Sequence, residues 1–287
     1  MEKPLKLVEC PRDAMQGIDE FIPTEKKIAY HNLLLKCGFH TLDFGSFVSP
    51  KAIPQLADTT EVLDASDYYK HKTELLAIVG NLRGAMEACK RDEIYYLGFP
   101  FSVSQTFLER NINSSIEDSL RRIEEIKGVC NKYGKELVIY ISMAFGNPYG
   151  EAWDVDVVAK YTRQLINEFE IKVISLSDTI GTSTAESINY LFGNLIPEFP
   201  DIEIGAHLHT RPDDWLEKVD SAYNSGCRRF DGAIKGFGGC PMAQDDLVGN
   251  MPMENMVQYF NNKNIETGID REAFGRALEM AVGVFPL

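Results

Sequence analysis

The chain has 287 residues, 44% apolar and 25% charged, which suits a soluble globular protein with a substantial core. Its 29 basic against 43 acidic side chains leave a formal charge of -14, arguing against a nonspecific grip on nucleic acid or an anionic membrane. A small anionic substrate stays admissible, because the field in a pocket can oppose the sign of the whole. No apolar run approaches a membrane span, and the opening "MEKPLKLVEC" lacks a signal peptide's apolar segment. The six cysteines, Cys10, Cys37, Cys89, Cys130, Cys227 and Cys240, include no CxxC pair and suit reduced thiols in a cytoplasmic protein.

In chain order, strands are expected near 5 to 10, 41 to 45, 74 to 80, 93 to 99, 137 to 145, 172 to 178, 202 to 209 and 228 to 234. Helical patterns separate them at 24 to 37, 82 to 90, 115 to 133, 154 to 169, 184 to 193 and 212 to 225, with the stretch after 50 undecided. Ile116, Leu120, Ile123 and Ile126 recur every three or four residues, as in a helix packed on a sheet. Ser114 with Glu117 and Ser183 with Glu186 read as capping boxes, and Thr210 with Asp213 as a weaker helix start.

Eight strand-helix alternations in about 230 residues are the arithmetic of a TIM (β/α)8 barrel. No linker or charge block interrupts the series, so residues 1–287 read as one catalytic domain with a short C-terminal helical extension. The alternative architecture is a doubly wound open sheet. The early chain has no G-x-G-x-x-G loop, so no nucleotide redox cofactor is expected.

"IGAHLHT", 204 to 210, puts His207 and His209 on one face of an extended strand, where they could grip an ion from one side. By itself the pair is weak, but a barrel would bring strand ends together at one mouth. Arg12 and Asp13 follow the first strand, Asp43 lies late in the second, Asp178 ends the sixth, and the histidines end the seventh. Two imidazoles and the Asp13 carboxylate form a mixed N/O donor set for a divalent cation, with further oxygens needed to complete the shell. Asp13 could instead cap a turn. Arg12 could stabilise charge developing on oxygen, or simply pair with a neighbouring acid. Asp43 and Asp178 could move protons, orient a ligand or cap helices. In "GFGGCPMAQDDLVGN", 236 to 250, glycines let the backbone approach a ligand, and Cys240 within the loop could exchange a proton with a carbon centre.

"VECPRDAMQG" is similar to the E-x-G-P-R-D-G-x-Q segment of the 3-hydroxy-3-methylglutaryl-CoA lyase family. "SFVSPKAIPQLAD", "LERNINSSIEDSL", "SLSDTIG", "HLH", "GFGGCP" and "GNMPMEN" resemble further landmarks of that family in the same order. The resemblance implies a TIM barrel that cleaves (S)-3-hydroxy-3-methylglutaryl-CoA to acetyl-CoA and acetoacetate. It implies Asp13, His207, His209 and Asn250 as ligands of a divalent cation, Mg or Mn ahead of Zn. Arg12, Asp43, His207 and Cys240 would take catalytic roles, with Gln16, Ser46, Lys51 and Asp178 at or near the substrate. The expected partner is an acyl-CoA, with neither nucleic acid nor membrane, and a homodimer is a candidate assembly.

Departures fall close to the chemistry. Asp43 stands where the family usually has Glu, Ala14 where it has Gly, and Asn147 where a cysteine is common. "TRPDD" follows the second histidine in place of the usual Asp, no Asn-Glu follows Gln16, and the stretch from Cys240 to Asn250 is one residue longer. These changes bear on the acyl group more than on cation-assisted C-C cleavage. Alternative readings are a hydroxyacyl-CoA lyase or aldolase with another substrate, a synthase condensing acetyl-CoA with a 2-oxo acid, and a catalytically silent scaffold barrel.

Overall fold

Short apolar strands alternating with amphipathic helices can bury both sheet faces only by crossover connections that keep the strands parallel. The computed structural model, which describes residues 3–239 and 248–285, has this form. Strands β1 (Lys6–Glu9), β2 (Thr41–Ser46), β3 (Glu74–Ile78), β4 (Ile94–Ser102), β5 (Glu136–Ser142), β6 (Val173–Asp178), β7 (Glu203–Thr210) and β8 (Arg229–Gly232) pair in parallel succession. β8 then pairs with β1, with Leu7 opposite Phe230, and the sheet closes into the expected barrel rather than an open sheet. A two-residue strand, β9 (Gly249–Asn250), runs antiparallel to β7 and sets Asn250 opposite His209.

Alternation along a strand divides the core in two. Leu75 and Ala77 of β3 join the large cluster between strands and helices, whereas Leu76 and Ile78 join Tyr96, Val138, Tyr140 and Val173 inside the barrel. The helix Ile116–Tyr133 buries Ile123, Ile126 and Cys130 as its period requires, while Ile116 and Leu120 are half-buried. Helices Thr59–Ala65 and Gln105–Ile112 fill stretches that periodicity leaves undecided or unmarked. The C-terminal extension is two helices, Met253–Asn262 and Arg271–Val284. The second lies near helix Thr24–Lys36, with the Asp270 amide donating to the Cys37 carbonyl at 2.9 Å and the Tyr30 and Phe285 rings edge to face at 5.7 Å.

The expected caps are displaced by a residue or more. Ser115, not Ser114, caps Ile116–Tyr133 by accepting from the Asp118 amide. The reciprocal box at the next-but-one helix start joins Thr184 and Ser187, not Ser183 and Glu186. Ser114 and Ser183 are buried, Ser114 donating to the Ser115 carbonyl and Ser183 to Asp178 at 2.5 Å, so the half-buried Ser115 and the exposed Thr184 are left to meet the helix amides. Thr210 caps nothing: the helix Trp215–Asn224 starts later, and the Thr210 hydroxyl donates to Asp214.

Candidate active site

The site grows from the end of β1. Pro11 begins a short helix, Pro11–Gln16, where its missing N–H costs nothing. That turn puts Arg12 and Asp13 at the barrel mouth, both buried. Arg12 Nε reaches both Asp43 oxygens at 3.2 and 3.0 Å, and Nη2 reaches Oδ2 at 2.5 Å. Its Nη1 donates to Asp13 Oδ1 at 2.8 Å and Gln16 Oε1 at 2.9 Å. Of five guanidinium hydrogens, one on Nη2 therefore remains for a ligand.

His207 and His209 share a face of β7 as period two demands, their ring centroids 5.4 Å apart. His209 Nδ1 lies 3.0 Å from the Thr179 carbonyl, which can only accept, so Nδ1 carries the proton. Its Nε2 is buried without a hydrogen bond, 3.9 Å from Asp13 Oδ2. His207 Nδ1 lies 3.2 Å from Asp231 Oδ2. Asn250, delivered by β9, donates from Nδ2 to Asp13 Oδ2 and to the Phe237 carbonyl, both at 2.9 Å.

Ligand atoms of Asp13, His207 and His209 lie within 4.8 Å of one another, and those of Cys10, His207 and Asp231 form a second such group. A buried, unpartnered imidazole nitrogen is costly unless something binds it, and a divalent cation beside Asp13 would do so. The residues present fit such an ion.

The electrostatics point the same way. Burial alone would raise the Asp13 pKa, but Arg12, followed by the two histidines and Asn250, holds this carboxyl well below the usual range. Burial and then His207 depress His209 to about 4, so at neutral pH it is an uncharged donor. Burial would lower His207 too, but Asp231 more than offsets it and raises the pKa. Burial pushes Asp43 up, partly countered by Arg12. Burial would weaken the Arg12 charge, yet Asp43 and Asp13 together strengthen it.

The remaining expected residues divide by position. Gln16 lines the cavity and bridges Arg12 to Asp13. Asp43 is fully buried behind Arg12, outside the cavity lining, so its shorter side chain acts through the guanidinium. Ser46 accepts from the Val48 amide and lies behind the lining; Lys51 is exposed on the turn leading to lining residues Ala52 and Ile53. Asp178 accepts from the Thr182 and Ser183 amides, the Ser183 hydroxyl and Lys218, so it holds the turn before the next helix, whose own cap is Thr184. Cys240 lies outside the described residues. The chain leading to it does reach the site: a Cβ on Gly238, at φ +90°, would sit 2.8 Å from Asn250 Nδ2 and 2.9 Å from the Asp13 carbonyl.

The cavity over this cluster encloses about 400 Å³. Val48, Ile53 and Phe107 supply apolar wall, and Arg110 adds a second cation with its guanidinium 4.9 Å from the Tyr149 ring. No motif in the sequence marks Arg110 or Asp231 as a site residue. Arg110 sits in "LERNINSS", a stretch without a predicted helix of its own, and Asp231 in the strand "RRFDGAI", where inward alternation was the available signal.

A closed parallel barrel with two imidazoles, a carboxylate and a fixed guanidinium at the mouth defines a cation-assisted TIM-barrel enzyme. The HMGL-like family model matches residues 6–281, and the chain belongs to that family. It is 33% identical over 271 residues to the cytoplasmic 3-hydroxy-3-methylglutaryl-CoA lyase of Danio rerio, covering 93% of this chain and 78% of that one. It is 32% identical over 274 residues to the 3-hydroxy-3-isohexenylglutaryl-CoA/hydroxy-methylglutaryl-CoA lyase of Pseudomonas aeruginosa, covering 95% and 90%. An HMG-CoA lyase of Acinetobacter baumannii, solved with coenzyme A and 3-methylmalate, superposes with TM-score 0.90 at 29% identity, covering 98% of this chain and 91% of that one.

Proposed function

We propose that this chain is a divalent-cation-dependent carbon-carbon lyase that cleaves (S)-3-hydroxy-3-methylglutaryl-CoA to acetyl-CoA and acetoacetate. The observation that carries the reading is the Asp13, His207 and His209 cluster facing the cavity beside Arg12. Asp13, His207, His209 and Asn250 would hold the ion, which supplies Lewis acidity toward a hydroxyl and carbonyl of the substrate. Arg12, with one Nη2 hydrogen left over, meets the thioester oxygen as negative charge develops there. Asp43 and Gln16 fix the guanidinium plane, so no reorganisation is needed when that charge appears. The apolar wall excludes water from the acyl group, and Arg110 offers a charge for its carboxylate or for a phosphate of CoA. Cys240, two residues beyond the closely packed Gly238, is assigned the proton transfer to the departing carbon. A cytoplasmic location is supported by thiols at Cys10, Cys37, Cys89, Cys130 and Cys227 that are all free.

The test is turnover of Mg- or Mn-loaded protein on this thioester and on shorter, longer and differently branched 3-hydroxyacyl-CoAs, following acetyl-CoA together with the carbonyl product. The expected outcome is acetoacetate release with the highest kcat/KM on the named compound. Cleavage of another member alone would change the substrate but keep the lyase; condensation of acetyl-CoA with a 2-oxo acid and no cleavage would overturn it.

A further inference from the structure

His207 belongs to both groups of ligating side chains, and its two ring nitrogens cannot serve both in the same way. We infer that Asp231 is a positioning residue that fixes His207 as its Nδ1–H tautomer, so that Nε2 is the lone pair offered to the cation, and that Cys10, His207 and Asp231 support this site rather than form a second one. The inference rests on the cation-dependent reading above.

The geometry supports it from several sides. Asp231 is 2% exposed, and its Oδ2 lies 3.2 Å from both His207 Nδ1 and Ser175 Oγ. An ionised carboxylate only accepts, so the proton of a neutral His207 sits on Nδ1. Arg229, fully buried, places Nε 3.7 Å from Asp231 Oδ1 and balances the charge from below. The Tyr140 ring meets His207 edge to face at 5.4 Å and restrains its rotation. Thr179 does for His209 what Asp231 does for His207, using a carbonyl. Both rings are thereby prepared to turn Nε2 outward. Cys10 is fully buried with Sγ 3.7 Å from the Val8 carbonyl, and neither Cys10 nor Asp231 lines the cavity, so an ion between them would not meet substrate.

Nitrogen NMR of the His-labelled, cation-free wild type at alkaline pH reads the tautomer directly and needs no variant. A proton on Nδ1 of His207 is expected; a proton on Nε2 overturns the inference. In Asp231→Asn the amide oxygen should turn to Arg229, leaving the amide N–H to donate to Nδ1 and drive the ring proton onto Nε2. Mn2+ affinity by calorimetry should then fall about 10- to 100-fold at unchanged stoichiometry. Cys10→Ala should bind Mn2+ as the wild type does, and a comparable loss there would make Cys10 a ligand and overturn the support role. If wild type binds no Mn2+, the cation-dependent reading fails and this use of the tautomer with it. If it binds, and Asp231→Asn binds equally well, only the positioning role fails.

Discussion

His209 is a buried imidazole with one nitrogen committed to a carbonyl and the other committed to nothing in the protein. Removing the ring therefore discards an unsatisfied polar atom along with about 1 kcal/mol of hydrogen bonding, and these oppose each other. We expect His209→Ala to leave the cation-free melting temperature nearly unchanged while abolishing most of the Mn2+-induced rise in Tm. The affinity loss should exceed the roughly 10–100-fold typical of losing a ligand's supporting partner. Equal affinity and stoichiometry in calorimetry would remove His209 from the ligand set. Asp43 shows the same logic of partners at the other side of the site: one methylene shorter than Glu, it still makes a forked contact with Arg12, so the departure leaves the cation-anion pair in place.

Single elements carry their ligands into place through contacts that sequence patterns do not mark. Lys218, on the helix Trp215–Asn224 and 2% exposed, donates to the His209 carbonyl at 2.8 Å, to Asp178 at 3.0 Å and to the Gly181 carbonyl at 3.1 Å. It ties the helix after β7 to the ends of β6 and β7. Lys218→Met keeps the stem but leaves the buried Asp178 carboxylate without its cation, held only by the Thr182 and Ser183 donors. A loss of about 3–5 kcal/mol is expected in urea unfolding. If the helix merely covers the barrel, the loss will be under about 1 kcal/mol and Mn2+ affinity will be unaltered. β9 matters in the same way: two residues paired with β7 bring Asn250 beside Asp13 across 237 positions of chain.

For the whole molecule, acid should be destabilising through buried histidines. Burial depresses His31 and His209 to about 4, against an ordinary value of 6.5. As pH falls below about 6.5, the unfolded chain takes up protons that the native state refuses, so stability is lost down to about pH 4, where the native rings also titrate. At pH 5 the His31 ring accounts for about 2 kcal/mol. Neither nitrogen of His31 has a partner, and the ring meets Phe44 edge to face at 6.4 Å. His31→Leu, measured in cation-free protein by urea unfolding at pH 7 and pH 5, should lose less stability between the two pH values than wild type does. An equal loss would show that other groups carry the acid sensitivity.

Strand and helix periods are local, so eight alternations can be read along the chain, and with both sheet faces covered they leave a closed barrel or a doubly wound open sheet, between which the pairing of β8 with β1 decides. Period two and element boundaries also make legible the shared face of His207 and His209, the place of Arg12 and Asp13 just past β1 and that of Asp178 at the end of β6, whereas Asp43, expected late in its strand, stands third of the six residues of β2. Cap positions were legible only to within a residue or so, because whether Ser114 or Ser115 meets the helix amides depends on which is buried against the barrel. What faces each side chain across the barrel was decided by the tertiary structure alone. Asp178 turns to Lys218 and the following turn, Asp231 turns to His207, and Asn250 reaches Asp13, although nothing within a few residues of any of them distinguishes these outcomes. Those partners are set by strand register and by the closure of β8 on β1, both non-local, and a shift of one residue would carry each side chain to the opposite face of the sheet.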